Sequence, residues 1–222
     1  MLAADGRAGG MLQGDDEWRR LAGAVHDDDA AWLANRDAHA RPAWPIVTST
    51  GAVPSLGAVW TAPVVLLCAH PELDAATPPA GYHFSRDGWP LAALHPSAPS
   101  GLAERWRRRL ASLVDLFGAQ HVAHSVAAVY LNPWPGRVFD AGLVLPSRQR
   151  MLALATRVAE RDAALVIAPG AEAWLAHPPI AALPPTRRCA VELAAGEDLD
   201  AAALGAESWD LLCSRIAVHA WL

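Results

Sequence analysis

Lysine is absent from this chain of 222 residues, and all 18 basic residues are arginines. The 23 acidic residues outnumber them, so the formal net charge is −5. This charge argues against a protein that coats nucleic acid through its overall charge, although a local basic groove is compatible with it. Since alanine is also abundant, we interpret the arginine bias as the mark of a GC-rich genome and not of function.

Cysteine is scarce as well, with three residues and no pair at the C-x-x-C spacing. This pattern predicts reduced thiols, and Cys68 and Cys189 fall in predicted buried strands. No apolar run approaches the ~18 residues of a membrane span. The first residues include acidic side chains where a signal peptide requires a basic end. We therefore expect a soluble, cytoplasmic protein without a membrane partner.

Several catalytic signatures are missing. Ser125 and Ser147 lack the Gly-x-Ser-x-Gly context of a serine hydrolase, and no glycine-rich loop is present to hold a nucleoside triphosphate. His121 and His124 have no third metal-ligand candidate nearby. The acidic run at 27–29 is more typical of a helix start than of a metal site. We expect neither a metal nor another cofactor.

The chain length fits one domain preceded by an extension. Residues 1–15 are predicted to form a disordered or weakly docked arm, and 17–39 one interrupted helix or two short ones. We assign residues 1–40 to this N-terminal arm and 41–222 to a single α/β domain. Residues 41–60 are expected to be irregular, with a short strand at 45–47.

The apolar residues 64–68 form an unbroken run that ends at His70-Pro71. Such a run is typical of a strand buried on both faces of a parallel sheet. Three further strands are predicted at 122–131, 164–168 and 189–193. Helices are predicted between and after them, at 102–117, 146–161 and 208–218. This alternation predicts a three-layer α/β/α sandwich around a mostly parallel, four-stranded sheet.

Polar residues follow the first two predicted strands. His70, Glu72 and Asp74 come after the first, and Asn132 comes after the second. Ligands of open α/β sheets bind beyond the carboxyl ends of the strands, so these residues are candidate site residues. Each also has a structural interpretation: His70 in a turn, the two carboxylates in solvent, and Asn132 as a turn cap.

The order of these motifs resembles that of the uracil-DNA glycosylase superfamily. The segment VVLLCAHP (64–71) matches the strand and motif that position the attacking water, and GYHFSR (81–86) matches the Phe-Ser pair. AAVYLN (127–132) matches the strand whose asparagine reads the base, and PGAEA (169–173) matches the Gly-x-x-Ala. The chain also resembles an uncharacterised bacterial group through GAVWTAPVVLL (57–67) and LPSR (145–148).

The glycosylase resemblance implies a role for each matching position. His70 and Asp74 would hold the water or the sugar, Phe84 would stack on the base, and Asn132 would read its edge. Arg137, beyond the second strand, and Arg148 and Arg150, at a helix start, would hold phosphate. The remaining substrate-binding candidates are Ala69, Pro71 and Glu72, in and directly after the first matched motif, and Gly196, near the position of the family's catalytic histidine.

The sequence also departs from the glycosylase pattern. His70 stands where these enzymes usually have Asp, Asn or Glu, and Gly196 stands where their catalytic His-loop falls. A His-Pro-Ser does occur at 95–97, but before the second strand, where we interpret it as a proline turn. The arginines of helix 102–117 either lie on a solvated face or face phosphate. Two functions follow: a diverged protein that binds a nucleobase or DNA and hydrolyses an N-glycosidic bond, or an inactive scaffold for a protein partner.

Overall fold

The computed structural model describes residues 7–35, 52–71, 89–98, 102–135, 144–191 and 198–219. In these ranges five strands form one mixed sheet with the order β1-β3-β2-β4-β5. The strands are β1 (Ser55–Leu56), β2 (Val64–Cys68), β3 (Val126–Tyr130), β4 (Ala164–Ile167) and β5 (Arg188–Ala190). The α/β class is thus confirmed, whereas the predicted number of four strands is wrong.

The additional strand is β1, which lies in the stretch expected to be irregular. It pairs antiparallel with β3, with Ser55 opposite Val129 and Leu56 opposite Ala128. Two residues carry no periodicity, so only the pairing reveals this strand. Gly57 follows with a φ of +76°, and a Cβ there would lie 2.7 Å from the backbone oxygen of Val126. The close approach of two backbones explains the glycine.

The other four strands run parallel to one another, with β2 between β3 and β4. Val64 is paired with Val126 on one side and with Ala164 on the other. All five residues of β2 are buried. The apolar run is therefore the central strand of the sheet, as its composition predicts.

Eight α-helices are present in the described ranges. They are α1 (Arg7–Ala34), α2 (Leu102–Arg109), α3 (Ala111–Phe117), α4 (Ala119–Ser125), α5 (Arg148–Glu160), α6 (Pro178–Ala181), α7 (Ala201–Leu204) and α8 (Ala206–Ala217). Helices α3, α4 and α8 pack together, with α4 against β3 and α8 against β2, while α5 packs against β3 and α6. No helix in the described part of the chain is long and apolar enough to cross a membrane.

The helix predicted over 102–117 is interrupted at Leu110, which separates α2 from α3. The reason is a tertiary contact with the segment before α7. Leu199 N donates to the carbonyl oxygen of Arg109 at 2.8 Å, and the Asp198 carboxylate accepts from Ser112 N at 3.0 Å. These bonds replace intrahelical ones at the break.

The second strand starts later than predicted. Residues 119–125 form α4, and β3 begins at Val126. The apolar residues Val122 and Ala123 of α4 are buried by the packing of this helix and not within a strand. A short apolar run does not distinguish a buried helix from a strand, which explains the error.

The N-terminal segment also differs from its prediction. Residues 7–15, expected to belong to a disordered or weakly docked arm, form the first part of α1, which continues as one helix to Ala34. The acidic run at 27–29 therefore lies inside a helix and not at its start. The short strand predicted at 45–47 lies outside the described residues.

Candidate functional site

The predicted site residues of β2 and β3 lie side by side at the carboxyl edge of the sheet. Cys68 and Tyr130, the last residues of the two strands, are register partners. Beyond them, Leu131 N donates to the Cys68 oxygen and Asn132 N to the Ala69 oxygen, both at 2.9 Å. The backbone of Asn132 is thereby fixed beside the residue that precedes His70.

The side-chain amide of Asn132 is completely buried. Neither its Oδ1 nor its Nδ2 has a hydrogen-bond partner among the described residues. A buried polar group without a partner costs about 1–3 kcal/mol, and this amide has both a donor and an acceptor to satisfy. A ligand that presents the complementary acceptor and donor would satisfy both groups at once.

The turn that carries Asn132 is held from two further sides. Val53 N donates to the Pro133 oxygen at 2.6 Å. The indole Nε1 of the fully buried Trp134 donates to Asp29 Oδ2 at 2.7 Å. These contacts restrict the backbone on both sides of the amide, so the amide is presented from a rigid turn.

Asp29 was not a candidate from the sequence, yet it organises this corner of the molecule. Its carboxylate is buried in the C-terminal third of α1 and accepts from Trp134 with one oxygen and from Ser147 N, at 2.8 Å, with the other. Ser147 is the residue before α5, so a carboxylate lies at the start of that helix. The only sequence feature that could have pointed to Asp29 was the acidic run at 27–29.

The neighbouring Asp28 pairs with one of the predicted phosphate ligands. Arg150 Nε donates to Asp28 Oδ2 at 2.7 Å and Arg150 Nη2 to Oδ1 at 3.0 Å. The hydrogen bonds from Arg150 hold the pKa of Asp28 below its usual value. Arg148, at the first position of α5, is half-buried and forms no ion pair with the described residues. Two carboxylates thus stand at the helix start where phosphate was expected.

The segment after β2 is partly enclosed. Ala69 and Pro71 are buried, His70 is half-buried, and both ring nitrogens of His70 are shielded from solvent. The indole Nε1 of Trp174 donates to the Cys68 oxygen at 3.0 Å. This indole comes from the turn after β4 and reaches the end of β2.

Burial of the thiol at the end of β2 disfavours its thiolate form at neutral pH. Burial raises the pKa of Cys68 to about 11, and the charge of Arg109 only partly opposes the rise. Cys68, Cys189 and Cys213 are all free, and the first two are buried. The predicted reduced core thiols are confirmed, and none is placed as a nucleophile.

The structure describes the His-Pro-Ser motif but not all of the predicted site residues. The His-Pro-Ser forms a local turn, in which Ser97 N donates to His95 Nδ1 at 3.1 Å and Ser97 Oγ lies 2.8 Å from the same nitrogen. The described residues contain no group of three metal-ligating side chains. Five predicted site residues lie outside the described ranges, and they are Glu72, Asp74, Phe84, Arg137 and Gly196.

Compared with protein-family models, with curated proteins and with solved structures, the chain shows no match. The function therefore has to be inferred from the site itself.

Proposed function

We propose that this protein binds a nucleobase at the carboxyl ends of β2 and β3, with the amide of Asn132 contacting the edge of the base. The observation that supports this most directly is the buried, preoriented Asn132 amide, whose two polar atoms have no partner among the described residues. A pyrimidine imide edge offers an acceptor next to a donor, and an adenine edge does the same. Either edge is complementary to a carboxamide.

The strand order supports a ligand at this edge. The chain passes from β2 to β3 on one side and then crosses back to β4 on the other. The connections from β2 and from β4 therefore run in opposite directions, and the crevice between such strands is where open α/β sheets bind ligands. His70 follows β2 and Gly170 follows β4, so both lie at this crevice.

The same topology agrees with a three-layer sandwich of the uracil-DNA glycosylase type. Right-handed connections in opposite directions place α2–α4 on one face of the sheet and α5 on the other. The packing of α4 and α8 together, and of α5 with α6, fits this assignment. The proposed fold and the proposed base site thus support each other, although a fold alone does not define an activity.

Hydrolysis of an N-glycosidic bond is the reaction that we propose for this site. His70, shielded from solvent at the end of β2, would hold the attacking water as a neutral imidazole and accept its proton. Asp74 would face the sugar, and Phe84 would stack on the base. Glu72, Arg137 and Gly196 would complete the proposed substrate contacts, whereas the carboxylates of Asp28 and Asp29 at the start of α5 disfavour a phosphate beside Arg148.

The experiment is a binding and excision assay on single- and double-stranded oligonucleotides that carry uracil, hypoxanthine or an abasic site. Wild type is compared with Asn132→Ala and His70→Ala. Ser125→Ala is the matched control, because Ser125 is also buried with an unpartnered hydroxyl among the described residues but lies before β3, at the opposite edge.

Excision that is lost in the His70 and Asn132 variants and kept in the control supports a glycosylase. Binding without excision, weakened only by Asn132→Ala, supports a base-binding protein that lacks the hydrolytic step. Absence of binding at low salt, or equal losses in all three variants, would overturn the proposal.

A scaffold for a protein partner is the second candidate, favoured by exposed apolar side chains on neighbouring helices. Leu116 of α3 is 60% exposed, and Val218, which follows α8, is 79% exposed. These two helices pack against each other. The test uses a double variant with Leu116→Glu and Val218→Glu. The scaffold function is correct if no base binds and if the double variant loses a complex that the wild type forms with a purified partner protein.

A further inference from the structure

The side-chain amide of Asn132 is fully buried, and no hydrogen bond within the described ranges determines which way it points. Most buried polar side chains have at least one partner. Such partners orient an amide, because its oxygen and its NH₂ group are similar in size and differ mainly in accepting or donating. The two orientations of Asn132 that a half-turn about χ2 interchanges are therefore not distinguished by any described hydrogen bond.

Asn35 shows how an oriented amide looks in the same chain. Its Nδ2 donates to the carbonyl oxygen of Ala31 at 2.9 Å, although the residue is exposed. The exposed amide is thus fixed by a hydrogen bond, while the buried amide is not. Solvation alone favours the reverse, since a buried amide loses its contacts with water and has the greater need of a partner in the protein.

The polar groups that follow Asn132 in the turn are engaged with other segments. Pro133 has no N–H group to donate, and its carbonyl oxygen accepts from Val53 N at 2.6 Å. The indole Nε1 of Trp134 donates to Asp29 Oδ2 at 2.7 Å. The turn is therefore held in place through contacts that leave the Asn132 amide without an orienting partner.

The carbonyl groups at the end of β2 are engaged in a similar way. The Cys68 oxygen accepts from Leu131 N at 2.9 Å and from Trp174 Nε1 at 3.0 Å. The Ala69 oxygen accepts from Asn132 N at 2.9 Å. These bonds fix the backbone position of Asn132 but do not fix the direction of its amide.

The orientation of a carboxamide decides which type of base edge it complements. A keto edge, as in uracil, has a carbonyl acceptor beside a ring N–H donor. An amino edge, as in cytosine, has an NH₂ donor beside a ring-nitrogen acceptor. One orientation of the amide pairs with the first edge, and the reversed orientation pairs with the second. A site that fixes its hydrogen-bonding groups rejects the wrong ligand by about 10⁴-fold, because buried groups are then left unpaired.

We propose that Asn132 binds the keto edge of uracil and the amino edge of cytosine with similar affinity, by reversing its amide. This inference rests on the proposed function and defines the class of base that the site accepts. Asn132 detects a hydrogen-bonding edge and does not distinguish its two types. Any discrimination between uracil and cytosine must then come from residues other than Asn132.

The test uses four single-stranded oligonucleotides, each with one base in an otherwise abasic strand. The bases are uracil, cytosine, 3-methyluracil, and cytosine dimethylated on its amino group. A 2′-fluoro sugar at that position protects the glycosidic bond, because fluorine disfavours an oxocarbenium-like transition state. Fluorescence anisotropy gives the dissociation constants for the wild type, for Asn132→Ala and for the control Asn35→Ala. Thermal unfolding verifies that both variants are folded.

We expect the wild type to bind the uracil and cytosine strands with dissociation constants that differ by less than about tenfold. Each methylated base should bind about tenfold or more weakly than its parent, because the methyl groups leave a buried amide group unpaired. Asn132→Ala should remove the difference between parent and methylated bases, and Asn35→Ala should keep it. The comparison of the four strands on the wild type is independent of how the variants fold.

Nuclear magnetic resonance tests the reversal of the amide directly. In a complex of ¹⁵N-labelled protein with ¹⁵N-labelled cytosine, Asn132 Nδ2 donates to the ring nitrogen. A scalar coupling between these two nitrogens is therefore expected across the hydrogen bond. In the uracil complex the ring N–H donates to Asn132 Oδ1, so this coupling should be absent.

A preference of more than about tenfold for one base, abolished by Asn132→Ala, would overturn the inference and leave the proposed function standing. A cytosine complex of equal affinity without the coupling between the nitrogens would do the same. Equal binding of parent and methylated bases, or an unchanged pattern in Asn132→Ala, would instead reject the contact between Asn132 and the base. The proposed function would then fail together with the inference.

Discussion

Asp29 and Trp134, which are 105 positions apart in the chain, are joined by a buried hydrogen bond of 2.7 Å between a carboxylate oxygen and the indole nitrogen. The bond connects the C-terminal third of α1 to the turn that carries Asn132. His26, one turn earlier on α1, lies with its ring 5.9 Å from that of Trp134. The C-terminal part of α1 is thus a structural part of the carboxyl edge.

Substitution Asp29→Asn should destabilise the protein by about 1–3 kcal/mol. Either orientation of the new amide places its NH₂ group against an N–H donor, of Trp134 or of Ser147, in a buried position. Urea unfolding measures the loss. Asp27→Asn, on a side chain that is 87% exposed, is the control and should change stability by less than about 0.5 kcal/mol. Equal effects of both substitutions would contradict the prediction.

Arginine at position 161 has a role that lysine does not reproduce. Its guanidinium donates to the carbonyl oxygens of Trp60 and Val59 at 2.5 and 2.7 Å. Arg161→Lys leaves part of this set of acceptors unsatisfied and should cost about 1–2 kcal/mol. Thermal unfolding compares it with Arg108→Lys, which is exposed and should be neutral. The absence of a difference between the two would show that the forked geometry contributes nothing.

Gly57 is predicted to be less replaceable than Gly170, although φ is positive at both. Gly57→Ala places a Cβ 2.7 Å from the backbone oxygen of Val126, whereas the same atom at Gly170 meets nothing within 4 Å. Gly170→Ala should cost about 1–2 kcal/mol from its conformation alone. Gly57→Ala should cost more, because the backbone oxygen must also move. Similar unfolding midpoints for the two variants would refute this steric explanation.

Stability should fall as the pH is lowered below 6.5 because of His219. Burial lowers the pKa of His219 below its ordinary value of 6.5, and the positive charge of His121 adds to this effect. The unfolded chain therefore binds the proton more readily than the native protein does. The native state is fully stable above pH 6.5 and loses this contribution as the pH falls through the lowered pKa.

The measurement is the unfolding free energy between pH 8 and pH 5. His219→Gln should reduce the slope in this range, with His177, whose pKa burial also lowers, supplying part of what remains. His26→Gln, on a side chain that is 59% exposed, serves as the control. A slope that His219→Gln leaves unchanged would exclude His219 as its source.

Much of the sheet was predictable, for a physical reason that particular elements illustrate. The residues of β2 are contiguous, apolar and buried on both faces, so the sequence itself records their environment. Helix α5 is similar, since its buried residues Met151, Leu154 and Val158 recur at helical spacing. The position of Asn132 at the carboxyl edge was predictable because it is a polar residue just beyond such a strand.

The errors occur where a distant contact overrides a local preference. The periodicity of 102–117 is continuous, yet Asp198 and Leu199 supply partners that end α2 at Arg109. Likewise, β1 exists only because Ser55 and Leu56 meet β3. A helix or strand pattern contains no information about these partners, because they are separated from it by tens of residues.

The sequence by itself therefore determined the α/β class, the central strand, the helix after β3 and the positions at the carboxyl edge, because burial and periodicity are properties of contiguous residues. Tertiary structure alone decided that Asp29 supports the turn of Asn132 and that Arg150 is paired with Asp28. These are directional polar contacts between distant segments. They depend on how the crossovers arrange the strands, which no single stretch of the chain specifies.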